Sequence, residues 1–152
     1  MIKVEKNKLV YRYDAETLLI EPWGDDAVRI RAKKCAGFPE NNWALTESVT
    51  AAADTEETED GATLRNGRLT VLLSKAGKIT IFKDDVKVLE EYWRNRRDVT
   101  DPNCSAIEVE GREFKPGRGG DYHLTVRFES LDVDEKIYGM GQYQQKYLNL
   151  KG

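Results

Sequence analysis

Apolar and polar side chains alternate along this chain with a period of two, and turn residues break the alternation at short intervals. Leu9, Tyr11 and Tyr13 alternate with Val10 and Arg12, and Val28, Ile30 and Ala32 alternate with Arg29, Arg31 and Lys33. Successive side chains of a strand point to opposite faces, so this rhythm predicts sheet with one buried and one wetted face. Residues 17–21 form a further apolar run that Pro22 closes, and Trp23-Gly24-Asp25-Asp26 supplies a turn before residues 27–33. Farther on, Asn66-Gly67 stands between residues 62–65 and 68–74. That dipeptide is a hairpin signal, because both residues tolerate the positive φ of a tight turn. Ala76-Gly77-Lys78 and then Asp84-Asp85 punctuate the following runs, 79–82 and 86–89, which completes an antiparallel meander. Tyr122, Leu124, Val126 and Phe128 alternate with His123, Thr125 and Arg127, which predicts another half-buried strand.

Helical signal is thin. Residues 87–97 have room for one short helix, but the regular amphipathic helices that a parallel βαβ sheet needs between its strands are missing from the pattern. The expected fold class is therefore all-β, an antiparallel β-sandwich, in a single domain over residues 1–152. Residues 54–61, Asp-Thr-Glu-Glu-Thr-Glu-Asp-Gly, read as a solvated acidic loop, and residues 115–120 as a turn-rich link.

Composition narrows the function classes. A charged fraction of 34% with 39% apolar residues fits a wetted globular domain, and it is too apolar for a disordered chain. The net charge of -3 gives no basic face for nucleic acid. No apolar run approaches the ~20 residues of a membrane span, and the N-terminal residues lack the apolar stretch of a signal peptide, so a cytoplasmic location is expected. Cys35 and Cys104 are far apart and read as free thiols, and two cysteines with one histidine are too few for a structural zinc site. No cofactor and no metal is expected.

Several motifs invite chemistry and are rejected on their details. Gly139-Met140-Gly141 lacks the third glycine of a dinucleotide-binding turn. Asp132-Val133-Asp134-Glu135 lacks the glycine and the distal glutamate of a calcium loop, and reads as a charged turn. His123, the sole histidine, has no nucleophile placed beside it by any motif. Arg94, Arg96 and Arg97 beside Trp93 read as surface cations paired with nearby carboxylates. The stretch 138–152 differs in kind: it combines glycines, amides and aromatic rings with little periodicity. Amide and aromatic side chains grip polyhydroxylated ligands through paired hydrogen bonds and a flat apolar face.

These last residues carry a family resemblance. Glu135-Lys136-Ile137-Tyr138-Gly139-Met140-Gly141-Gln142 resembles the E-x-x-Y-G-L-G-E/Q segment of glycoside hydrolase family 31, and Leu148-Asn149-Leu150-Lys151-Gly152 resembles the L-D/N-x-x-G that follows it. Residues 17–31 and 66–71 are similar to the first strands and the central hairpin of the same N-terminal domain. The resemblance implies a galactose-mutarotase-like sandwich that packs on a (β/α)8 barrel. Both catalytic aspartates of the family lie on that barrel, outside these 152 residues, so no catalytic residue is assigned and the 152 residues alone are expected to be inactive. Residues 142–152 are expected to lead toward the barrel as a loop of the substrate rim, with Gln142, Gln145 and Asn149 as candidate substrate-binding residues. Asn149 stands where many α-glucosidases of the family carry aspartate. It keeps the hydrogen-bonding reach, loses the charge, and opens α-xylosidase specificity. The expected partners are an oligosaccharide or α-glycoside and the barrel of the same chain, with neither nucleic acid nor membrane. Without the barrel, an apolar patch and self-association are expected. A stand-alone carbohydrate-binding sandwich with Trp23, Trp43, Trp93 and Tyr143 as stacking platforms is the alternative, and a sugar epimerase, which needs a histidine and carboxylate pair, is poorly served by His123 alone.

Overall fold

The computed structural model describes residues 1–35, 37–39, 49, 51–97, 99–100, 102, 104–130, 132–139 and 149. Twelve strands follow one another among them: β1 (Ile2–Glu5), β2 (Lys8–Tyr13), β3 (Glu16–Pro22), β4 (Val28–Lys34), β5 (Asp54–Thr58), β6 (Gly61–Asn66), β7 (Leu69–Ser74), β8 (Ile79–Lys83), β9 (Val86–Glu91), β10 (Arg112–Pro116), β11 (Tyr122–Val126) and β12 (Phe128–Glu129). A single 3-10 turn, Arg118–Gly120, is the only helical element among the described residues. Every strand pairing is antiparallel. Strands β1-β2-β3-β4 form one sheet in chain order, β12-β9-β8-β7-β6-β5 form a second, and β10 with β11 makes a two-stranded ribbon.

The two larger sheets lie face to face, as the period-two alternation predicts. Leu9, Tyr11, Leu18 and Ile20 of the first meet Ala62, Leu64, Val71, Leu73 and Ile79 of the second in one apolar core. Val28, Ile30 and Ala32 pack against it from β4, so the expected inward face of that strand is correct. Burying each large aliphatic side chain of this core contributes about 1.5–3 kcal/mol relative to exposure. The first sheet covers the β5–β6 end of the second, where β1 meets β5 and β6 and where β2 and β3 meet β6.

Turn chemistry sets the registers. Asp14 and Ala15 between β2 and β3, and Asp84 and Asp85 between β8 and β9, all adopt positive φ (44°, 61°, 50° and 64°). Two consecutive positive-φ residues turn the chain with the hand that twisted strands need. The Asn66-Gly67 hairpin forms, with a shifted turn. Asn66 still belongs to β6 and pairs with Leu69, so Gly67 (φ 57°) and Arg68 make the two-residue loop. Glycine alone takes the positive φ. Asn66 is instead nearly buried, and its Nδ2 donates to the carbonyls of Gly24 (2.8 Å) and Ala27 (2.7 Å). The Arg68 N–H donates to Asp26 Oδ1 at 2.6 Å, so the tip of this hairpin is tied to the β3–β4 turn in the opposite sheet.

Four details go beyond or against the sequence reading. The acidic run begins as strand: Asp54–Thr58 pairs with β6 along its whole length. Its exposed Glu56 and Glu57 sit at a sheet edge, where charged side chains are tolerated and deter further pairing. No helix forms over residues 87–97, because Val86–Glu91 pairs with β8 through a bulge between Ile81 and Phe82, and Arg94 then bridges Val109. Residues 115–120 are partly strand, since β10 runs through Pro116 before the 3-10 turn. The fourth difference concerns burial. Tyr122, Leu124, Val126 and Phe128 share a face as the alternation predicts, yet they stay 40%, 38%, 44% and 46% exposed. Tyr122, Leu124 and Val126 lie on the two-stranded β10–β11 ribbon, outside both large sheets, and only Phe128 belongs to the six-stranded one.

Candidate functional site

The two segments that carry the family resemblance meet in the structure. Asp132 opens a tight turn in which its Oδ1 accepts the Asp134 N–H (2.8 Å) and its carbonyl accepts the Glu135 N–H (3.3 Å). The expected charged turn is therefore present, and it delivers residues 135–139 as exposed, irregular chain. Ile137 and Tyr138 are 42% and 58% exposed, and Gly139 takes φ 85° with open space where a Cβ would stand. Asn149 returns to this segment. Its Oδ1 accepts the Ile137 N–H at 2.9 Å, so the side chain is half-buried and clamps the Glu135–Gly139 backbone. Gln142 and Gln145, the other two candidate substrate-binding residues, lie outside the described residues, as do Trp43 and Tyr143.

The remaining sequence candidates have local partners. Arg94 reads Glu129 with both ends of its guanidinium, Nη1 to Oε1 at 3.0 Å and Nη2 to Oε2 at 2.8 Å, and lies 3.9 Å over the Tyr92 ring. Arg96 faces Glu108 at 3.5 Å. The expected pairing with carboxylates is thus seen for Arg94 and Arg96, while the Arg97 N–H donates to Asn95 Oδ1. Trp23 is half-buried under the Arg29 guanidinium, 4.8 Å from its centroid. His123 is exposed on β11 opposite Lys115. Cys35 and Cys104 are free thiols. Among the described residues no group of three His, Cys, Asp or Glu side chains is gathered closely enough to hold a metal ion. Among them, too, no helix is long and apolar enough to cross a membrane.

One polar constellation has no counterpart in the sequence reading. Arg112 of β10 is buried, and each nitrogen of its guanidinium has an acceptor: Nε donates to Glu16 Oε1 (2.7 Å), Nη1 to Glu91 Oε1, and Nη2 to the Gly77 carbonyl (2.8 Å). Glu91 is fully buried, and its second oxygen accepts the Ile79 N–H at 2.9 Å. Burial pushes the Glu91 carboxyl above its ordinary value, against the attraction of Arg112. These residues join β3, β8, β9 and β10, so the network fastens the β10–β11 ribbon to both sheets. Its members are scattered over residues 16–112, with no spacing that a sequence could display. Two of its members, Glu16 and Arg112, line a groove of 460 Å³ together with Tyr11, Tyr13, Trp93 and Glu110. Burial, and then the charges of Glu108 and Glu16, push the Glu110 carboxyl up.

Comparison with known proteins gives this geometry a context. No protein-family model matches the chain. An uncharacterized family 31 glucosidase, ORF2, of Pseudescherichia vulneris is 39% identical over 155 residues, which is 96% of this chain and 29% of that protein. The crystal structure of a GH31 alpha-xylosidase from a soil metagenome, complexed with xylose, superposes on all of this chain with a TM-score of 0.90 and 38% identity, over 24% of that enzyme. The all-β fold and the family resemblance read from the sequence are both borne out. The chain spans about a quarter of the length of these relatives.

Proposed function

From this relation to glycoside hydrolase family 31, we propose that the chain is the non-catalytic N-terminal β-sandwich of a retaining α-glycosidase of the α-glucosidase or α-xylosidase type. One observation carries the reading: the similarity runs through 96–100% of this chain but through only 24–29% of proteins named as glycosidases. A sandwich of this size holds no room for the ~250 residues of a barrel. The chemistry of a retaining glycosidase needs two carboxyl groups about 5–5.5 Å apart across the glycosidic bond. In this reading both belong to the barrel, the 152 residues alone are inert, and the protein acts in the cytoplasm.

The sandwich contributes to the substrate rim through residues 142–152, with Asn149, Gln142 and Gln145 directed to sugar hydroxyls. Asn149 supports this role by its position, since its Oδ1 accepts the Ile137 N–H within the other segment of the family motif. An uncharged donor favours a neutral hydroxyl pattern over a site that needs a carboxylate acceptor, which suits a pentose such as xylose as well as glucose. The test is to express the whole open reading frame and assay aryl α-glucosides and α-xylosides, following product configuration by NMR. Hydrolysis with retention is expected. A frame that stops near Gly152, or a longer product inactive on both substrates, overturns the proposal. In an active enzyme, Asn149→Ala is expected to raise KM or lower kcat/KM by about 10-fold or more, as the loss of a hydrogen bond worth 1.5 kcal/mol would. Unchanged kinetics would remove Asn149 from the rim.

A further inference from the structure

The β10–β12 end of the molecule carries an apolar row that stays about two-fifths exposed, touched at one end where the Tyr122 hydroxyl lies 3.6 Å from Cys35 Sγ. Tyr122, Leu124 and Val126 are alternate residues of β11 and so project to one side, and Phe128 continues the row into β12. Phe114 of β10, paired with Leu124, meets the edge of the Tyr122 ring at 6.3 Å between centroids. Of the intervening residues, Thr125, Arg127 and Glu129 are half-buried, while His123 at the far end of the row is exposed. From Leu124 to Glu129 the apolar side chains are thus the more exposed ones and the polar ones the less exposed, the reverse of what water selects. Arg127 is engaged by Glu113 (2.6 Å) and Glu129 by Arg94, so the inversion is built into the ion pairs of the ribbon. It is not a slip of register.

We propose that this face docks the remainder of a family 31 chain in cis, with Tyr122, Leu124, Val126 and Phe128 as the contact row. The inference rests on the functional reading above and specifies which surface serves it. The size of the patch selects the occupant. Four side chains each less than half exposed offer roughly 300–400 Å² of apolar area, since a whole aromatic side chain buries only about 150–250 Å². A stable dimer of independent chains buries about 800 Å² on each partner, so a second copy of this chain is poorly served. Interfaces between units of one polypeptide run from about 600 Å² in total, and the covalent link supplies the effective concentration. About three quarters of the length of each relative is available to provide such a partner.

Hydroxyl-radical footprinting of the 152-residue protein beside the product of its whole reading frame tests this directly. Oxidation of Tyr122 and Phe128 is expected to fall about 5-fold or more in the longer product. As a second measurement, Leu124→Glu should leave the melting temperature of the 152-residue protein within 1–2 °C of the parent, a roughly neutral surface change. In the longer product it should lower the first transition by more than about 5 °C. Equal oxidation in a longer product that hydrolyses α-glycosides would overturn the docking face and spare the functional reading. Protection in a longer product inactive on α-glycosides would do the reverse. A reading frame without further sequence, or footprint protection of the 152-residue protein that grows with its own concentration, would also overturn the docking face.

Discussion

The two ends of this molecule are held together by different physics. Around β2, β3, β6 and β7, Leu9, Leu18, Ile20, Leu64, Val71 and Leu73 are shielded completely from water, and their strands are wetted only on the outer side. Around β9–β12 the buried groups are charged, with Arg112, Glu91 and Glu16 inside while Leu124, Val126 and Phe128 face solvent. An apolar core is non-directional and tolerates repacking, whereas a buried ion network must be satisfied bond by bond. The first end is therefore self-sufficient. The second uses directional bonds to hold a ribbon in a pose whose apolar side is left for another surface.

Substitutions can break this contrast, and the largest effect should come from the polar end. Arg112→Met removes the cation paired with the fully buried Glu91 and should cost about 3–5 kcal/mol in urea unfolding, while Arg112→Met combined with Glu91→Leu should recover a good part of it. A double variant no more stable than the single one would show that the network is more than a matched pair of buried charges. In the apolar end, Leu64→Ala should cost about 2–5 kcal/mol by the same measurement. Asn66→Ala removes the side-chain donor to the Gly24 carbonyl and one of two donors to the Ala27 carbonyl, which keeps the Trp23 N–H, and should cost about 1–3 kcal/mol.

Acid sharpens the comparison further. Burial alone would raise the Glu90 carboxyl, but hydrogen bonds from Lys87 and Lys78 hold it below its ordinary 4.5. Its contribution is thus present above pH 4.5 and is lost as pH falls through the lower folded value. Glu91 has the opposite sign, because its raised folded pKa favours the native state below 4.5 and gives that contribution up as pH rises through the raised value. Urea midpoints measured from pH 6 to pH 3 should therefore show an acid loss that Lys78→Met with Lys87→Met reduces by about 1 kcal/mol or less. The smallest effect should be Leu124→Ala, within about 0.5 kcal/mol although it deletes the same atoms as Leu64→Ala. A cost near that of Leu64→Ala would show that the β11 face is already covered.

What could be read from the sequence follows the same division. Strands β2–β4 and β6–β8 were legible because each has one face in the apolar core and therefore alternates. The Asp54–Thr58 strand was not, since an edge strand with its carboxylates in water carries no apolar period. For β11 the period was correct and the burial was not: alternation records which side is apolar, and it does not record what covers that side. The Arg112 network left no trace, because its partners come from β3, β8 and β9 with no fixed spacing. Of the candidate site, only the meeting of Asn149 with Ile137 is described, and the family motifs already placed those two residues in one functional segment.

The clasp made by Asn66 has a consequence for time as well as for energy. Both large sheets are built mostly from neighbours in sequence, and such hairpins form in about 1–10 μs. Nothing within either meander specifies how the two layers should register against one another. Asn66 reaches 39–42 residues back to the β3–β4 turn, a loop closure that rewards the chain only after both hairpins exist. Loss of the clasp should therefore quicken the separation of the layers far more than it slows their formation. Asn66 acts as a pawl: it adds little to the forward stroke and resists the return.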